Sequence, residues 1–166
     1  MKSTFCIDTT RIYAAGFSNG GGFVGTLACS AEHGKHFAAF GAVEGAFYTD
    51  ATPDANCQPA RTPLPILEVH SSRDGLVYYQ GGEGRGGPLP AIPDWLDWWA
   101  ERNGCGENMT SHIGEYSQHI KWDCDGDNDV LQHYKTDVEG HYWQYFDSGF
   151  ETTSVLMDYF RGHTLK

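Results

Sequence analysis

Ser18, Asp74 and His141 are the three residues whose types could together turn a hydroxyl into a nucleophile. A serine hydroxyl is a poor nucleophile at neutral pH. It needs an imidazole within hydrogen-bond reach to take its proton, and the imidazole needs a carboxylate to hold its tautomer and offset its charge. Ser18 sits in Gly16-Phe17-Ser18-Asn19-Gly20, between a strand-like run, Arg11 to Ala15, and a helix-compatible run, Gly21 to Ala28. Gly-x-Ser-x-Gly in that context is a nucleophile elbow, a strained turn that lifts the hydroxyl above the sheet edge. A β-carbon at either flanking glycine is expected to meet the neighbouring strand or helix. The backbone N–H of Asn19 would point where an oxyanion forms. The chemistry of such a set is acyl transfer.

The acid should leave a strand end and the histidine should sit in a late loop. Asp74 follows the strand-like Ile66 to His70, although Asp74-Gly75 also reads as an ordinary turn pair. His141 lies in the glycine-opened Glu139-Gly140-His141-Tyr142-Trp143. The other histidines fit less well. His33, His36, His112 and His119 lie in polar or strand contexts, His133 falls within a strand and His163 is near the tail. His70 reads as a satisfied core histidine or as a support for the acid loop. The chain order serine, acid, histidine is that of serine hydrolases built on an elbow.

Alternating strands and helices must position these residues. Strands are predicted at 11–15, 37–43, 66–70, 117–122 and 130–138, and helices at 19–30, 92–102 and 150–161. Pro93 suits a first helical turn and Asn103-Gly104 a stop. Segments 48–65, 75–90 and 139–146 read as loops, and 123–129 as a hairpin turn. That turn is acidic, but Asn128 and Tyr134 stand where a calcium loop needs glycine and glutamate, so no metal is expected. The pattern is α/β with a mostly parallel sheet, and 1–166 reads as one domain. Trp95, Trp98 and Trp99 recur at helical spacing as a core stripe.

The chain of 166 residues has a net charge of −11, with 40% hydrophobic and 20% charged residues. A globular domain follows, and the acidity argues against nucleic acid and anionic membranes as partners. No stretch approaches a membrane-spanning length, and Met1-Lys2-Ser3-Thr4 runs on without a signal-peptide pattern. The five cysteines form no CxxC pair, so zinc and redox motifs are not expected. Cys29 with Cys57 and Cys105 with Cys124 are candidate disulfides, Cys6 is the odd thiol, and sequence leaves the connectivity open. Asn108-Met109-Thr110 is a glycosylation sequon. Cysteines and sequon together read as a secreted, extracellular protein.

Cys6 to Gly22 resembles the elbow region of secreted feruloyl esterases, which group with acetylxylan esterases and polyhydroxybutyrate depolymerases. Ile66 to Gly82 resembles their acid strand and loop, Pro93 to Cys105 the following helix and cysteine, and Gly140-His141-Tyr142-Trp143 their histidine loop. The resemblance covers most of the chain, with Ser71 where the family usually has glycine. It implies a partial α/β-hydrolase fold lacking its N-terminal strands, with the serine strand at a sheet edge and reduced activity. It also implies Ser18, Asp74 and His141 as the triad, no cofactor, and feruloylated arabinoxylan or small hydroxycinnamoyl esters as substrates. Tyr78, Tyr79, Tyr142 and Trp143 flank the acid and histidine and could pack on an aromatic acyl group. The other readings are an acetylxylan esterase or polyhydroxybutyrate depolymerase, and an inactive fragment or carbohydrate-binding module.

Overall fold

The computed structural model describes residues 4–50, 52–138, 140–145 and 148–165. Its elements in chain order are β1 (Tyr13–Phe17), α1 (Asn19–Ala28), α2 (Ala31–Gly34), β2 (Ala39–Val43), a 3-10 turn (Asp54–Asn56), β3 (Ile66–Ser71), β4 (Gly82–Gly84), β5 (Gly87–Leu89), α3 (Ile92–Arg102), β6 (Asn108–Ile113), β7 (Ser117–Trp122), β8 (Leu131–Thr136) and α4 (Thr152–Arg161). Six strands make one sheet in the order β1-β2-β3-β8-β7-β6. The first four are parallel, and β7 and β6 add on antiparallel. The α/β class and the mostly parallel sheet agree with the alternation read from the sequence. Among the described residues β1 is an outer strand, as the resemblance implied.

Every residue of β2 and β3 is buried, because helices cover both faces of the sheet. Period-two alternation divides their side chains. Phe40, Ala42 and Ile66 pack with Trp95, Leu96 and Trp99 of α3 and with Val24 of α1. Ala39, Val43, Leu67 and Val69 pack with Leu156, Tyr159 and Phe160 of α4. The tryptophan stripe is core, as expected: Trp95 stacks on Phe47 at 3.8 Å between ring centroids, and Trp98 is only partly buried. Disulfides join Cys29 to Cys57 and Cys105 to Cys124, while Cys6 is free and exposed.

Helix ends follow local chemistry. Pro93 lies in the first turn of α3, and Gly104 takes a positive φ of 65° just beyond it. Glu151 caps α4 by accepting the Thr153 and Ser154 N–H groups at 2.9 and 2.8 Å. Those bonds pull its carboxyl down to about 2.

Four expectations need correction. The strand expected at 11–15 runs two residues later, in register with β2 from Tyr13↔Ala39 to Phe17↔Val43. Strand β6 went unread because nearly all its side chains are exposed, which leaves no alternation. The 75–90 loop contains the short β4–β5 pair. Finally, the elbow glycines are not equivalent. A β-carbon on Gly16 would meet the Gly20 carbonyl oxygen at 2.2 Å, whereas one on Gly20 would meet open space. The crowding falls instead at Gly21 and Gly22, where α1 passes the chain leaving β2: a β-carbon on Gly22 would lie 1.9 Å from the Ala46 oxygen. Residues 1–3, and 139 and 146 of the predicted histidine loop, lie outside the described residues. No helix among the described residues is long and apolar enough to cross a membrane.

Candidate active site

Ser18 joins β1 to α1 with φ 57° and ψ −121°, a conformation that side-chain-bearing residues rarely adopt. Such a backbone costs on the order of 1–3 kcal/mol and persists only where its surroundings impose it. Here β2 and its exit do so. The Ser18 N–H donates to Val43 O at 2.8 Å, and its carbonyl accepts from Gly22 N and Ala46 N, both at 3.0 Å. Asn19 opens α1, so helix geometry gives its N–H no acceptor within the helix.

Asp74 hangs from the loop after β3. Its Oδ1 accepts the N–H groups of Leu76 and Val77 at 2.7 and 3.0 Å. Its Oδ2 lies 2.6 Å from Nδ1 of His141. The carboxylate only accepts, so His141 Nδ1 carries the hydrogen and Nε2 is left facing away from the acid. The Asp74 side chain is fully buried and that of His141 is 10% exposed. Burial alone would raise the Asp74 carboxyl, but hydrogen bonds from His70, Glu44, His141 and Leu76 hold it well below the usual range. The His141 ring packs against Phe17, the residue before Ser18, at 4.7 Å between centroids.

Beneath this pair is a buried polar network that the sequence reading left largely unassigned. Strand β3 turns Glu68 and His70 to the same face, and Glu68 is in register with His133 of β8. His70 Nδ1 donates to Glu68 Oε1 and its Nε2 to Val77 O, both at 2.9 Å. Both partners are acceptors, so both ring nitrogens carry hydrogen and His70 is an imidazolium. Burial opposes that charge, and the Glu68 carboxylate and Asp74 more than reverse it. Glu68 is held ionised despite its burial by His70 and by His133, whose Nδ1 stands 2.8 Å from Oε2. His70 thus supports the acid loop, one of its two expected roles. The signal in the sequence was an acid and a histidine two apart within an apolar strand.

Glu44 was missed altogether. It follows β2 with φ 48° and is fully buried. Its carboxyl accepts the Ser71 N–H at 3.1 Å and the Gln144 side-chain amide at 3.1 Å, and lies 3.3 Å from His70 Nε2. Burial foremost, then the neighbouring Asp74, push it up to about 9, against the opposing charge of His70. Donor atoms of Glu44, His70 and Asp74 all fall within 4.8 Å of one another, the grouping among the described residues able to surround a cation. Each already has protein partners.

The aromatic candidates separate. Tyr78 and Tyr142 are exposed, and Trp143 is partly buried with its indole N–H on Thr153 Oγ1 at 3.0 Å. Tyr79 is corrected: it is buried, and its hydroxyl meets His133 Nε2 at 3.1 Å, so it belongs to the core network. A cavity of about 320 Å³ that the sequence reading did not foresee is lined by Asn19, Phe23, Phe47, Tyr48, Trp95 and Trp98. Asn108 lies exposed in β6.

No known protein-family profile matches the chain. The chain is similar to fungal proteins named for ester hydrolysis. It is 35% identical over 110 residues to a feruloyl esterase B of Piromyces equi, covering 63% of this chain and 20% of that protein. It is 31% identical over 84 residues to a probable feruloyl esterase C of Aspergillus clavatus, covering 51% of this chain and 28% of that protein. A bifunctional acetylxylan esterase/xylanase of Neocallimastix patriciarum is 36% identical over 84 residues, covering 51% and 11%. The chain therefore spans less than a third of the length of each of these relatives.

Proposed function

We propose that the chain carries the reaction centre of a serine carboxylic ester hydrolase, with Ser18 as nucleophile, His141 as general base and acid, and Asp74 as orienting carboxylate. The observation that carries this reading is the part-buried Asp74–His141 bond of 2.6 Å, beside an elbow whose serine is held at φ 57°. Nε2 of His141 takes the Ser18 proton as Oγ attacks the ester carbonyl. The Asn19 N–H is one donor to the oxyanion. The alcohol leaves with the proton from His141, and water repeats the sequence to release the acid. Asp74 stabilises the imidazolium at each stage and stays ionised.

The substrates of this reading are feruloyl (hydroxycinnamoyl) esters of plant cell-wall arabinoxylan. Support comes from the names of two relatives and from the aromatic-walled cavity whose lining includes Asn19, large enough for a substituted phenyl ring. An acetylxylan esterase is the second reading, favoured by the third relative. Reaction with a fluorophosphonate probe and turnover of methyl ferulate beside acetylated xylan test both. Labelling that Ser18→Ala abolishes, with faster ferulate turnover, supports the first reading. No labelling of the folded wild-type chain overturns the nucleophile assignment.

A further inference from the structure

Glu44, outside both segments, touches the one bearing the acid and the one bearing the base. On one side it accepts the Ser71 N–H at the root of the Asp74 loop. On the other it accepts the amide of Gln144, three residues beyond His141. Gln144 is itself fastened: its amide also reaches Tyr142 O at 3.3 Å, and its carbonyl accepts Thr152 N at 3.1 Å. One side chain just past β2 therefore ties the loop after β3 to the loop after β8. The backbone of Glu44 is left-handed, where glycine is the comfortable residue. A strained backbone and a fully buried carboxyl are both costly, which points to a role that only this side chain fills.

The proton inventory follows from donors. Asp74 receives two backbone N–H groups and the His141 N–H, and lies 3.4 Å from His70 Nε2. Glu44 receives one backbone N–H and one amide and shares His70. Glu68, the other buried acid, is matched by His70 and His133. Two adjoining buried carboxyls cannot both ionise beside one imidazolium, and the better-solvated one keeps the charge. Asp74 is that one, so the shared proton rests on Glu44, a carboxyl oxygen of which lies within 4.8 Å of the Asp74 carboxylate.

We propose that Glu44 is a positioning residue for the site: a neutral, buried acid that donates to the Asp74 carboxylate and pins the acid and histidine loops in register. The relevance to ester cleavage rests on the reading above; the positioning itself does not. Glu44 touches no reacting atom and acts through Asp74 and Gln144.

The full chain tests this with Glu44→Ala and the near-isosteric Glu44→Gln, which keeps an acceptor for Ser71 and supplies an N–H for Asp74. The first readout is the downfield Nδ1–H proton of His141, seen by NMR without substrate. It should disappear in a folded Glu44→Ala chain and return in Glu44→Gln. The second is the ¹³C-carboxyl titration of Glu44 in the wild type, identified by its loss in Glu44→Gln, expected near pH 9. The third is methyl ferulate turnover. Glu44→Ala should lower kcat by about 10²-fold with little change in KM, as expected for loss of orientation. Glu44→Gln should restore most of it and remove the alkaline fall in rate near pH 9. A His141 signal retained in Glu44→Ala, or lost equally in Glu44→Gln, overturns the proposal. So does a Glu44 carboxyl that titrates near pH 4–5, a result that stands even if Glu44→Ala fails to fold. If the wild type turns over no ester, the hydrolase reading fails while the two NMR readouts still decide the role of Glu44.

Discussion

His70 and His119 sit on strands β3 and β7, to either side of β8 in the same sheet, and behave oppositely. His119, on β7, stacks on Tyr134 at 4.0 Å and bonds Gln132 Oε1 at 2.8 Å. Partial burial holds its imidazole below the usual value, because no carboxylate near it is strong enough to reverse the effect. His70, on β3, is buried completely, yet Glu68 and Asp74 drive it well above that value. Burial has the same sign at both places; neighbouring charge decides the outcome. The same contrast runs through the sheet. The outer hairpin keeps polar groups in water, as in the exposed Lys121–Asp129 pair. The carboxyl ends of β1, β2, β3 and β8 concentrate strained backbone and buried charge.

If that concentration serves catalysis, Ser18→Ala removes the nucleophile and lowers kcat by about 10⁴-fold or more, checked by ester turnover and loss of fluorophosphonate labelling. Asp74→Asn leaves the volume unchanged but permits the wrong histidine tautomer, and should cost about 10⁴-fold in kcat. Removing the charge that reverses the burial effect comes next. His70→Ala leaves Glu68 buried without its main counter-charge and should destabilise the fold by about 3–5 kcal/mol in urea unfolding. His119→Ala, on β7, should cost about 1 kcal/mol or less. Comparable losses at the two histidines would erase the contrast between the regions.

The pH dependence of stability gives a prediction between these extremes. Glu44 is raised from 4.5 to about 9 in the fold, so the unfolded chain gives up this proton first. Its contribution is fully present below pH 4.5 and is lost as pH rises toward 9, by up to roughly 4 kcal/mol between pH 5 and pH 8. His70, also raised, adds a loss of the same sign above pH 6.5. Asp74 is held low, so its contribution is present above pH 3.8 and is lost only on acidification below that. Unfolding free energies should therefore fall from pH 5 to pH 8, and the fall should be smaller in Glu44→Gln. An unchanged slope in that variant would remove Glu44 from the network.

Much of the framework was readable locally. Ile66 to His70 alternates between two sheet faces, Pro93 and Gly104 bracket α3, and the acidic 123–129 segment turns β7 back onto β8. The elbow was readable as a motif, but the reason for its glycines was not: Gly20 has open space while Gly21 and Gly22 are crowded by the exit of β2. Strand β6 escaped because an exposed edge strand needs no apolar period. Tyr79 was placed with the loop aromatics because sequence cannot tell a tyrosine over the site from one pointing into the core beneath it. Glu44 carried no signal at all, since it follows an apolar run and lies 30 residues from Asp74.

Residue order and local pattern alone decided the strand–turn–helix around Ser18, the α/β class and the candidates at 74 and 141, because these depend on neighbours within a few positions along the chain. Folding alone decided that Asp74 meets His141, that Glu68 and His133 share a register, and that Glu44 bridges two loops. Those outcomes depend on parallel strands whose side chains, distant in sequence, are brought into one water-poor volume where each charge must find its partner.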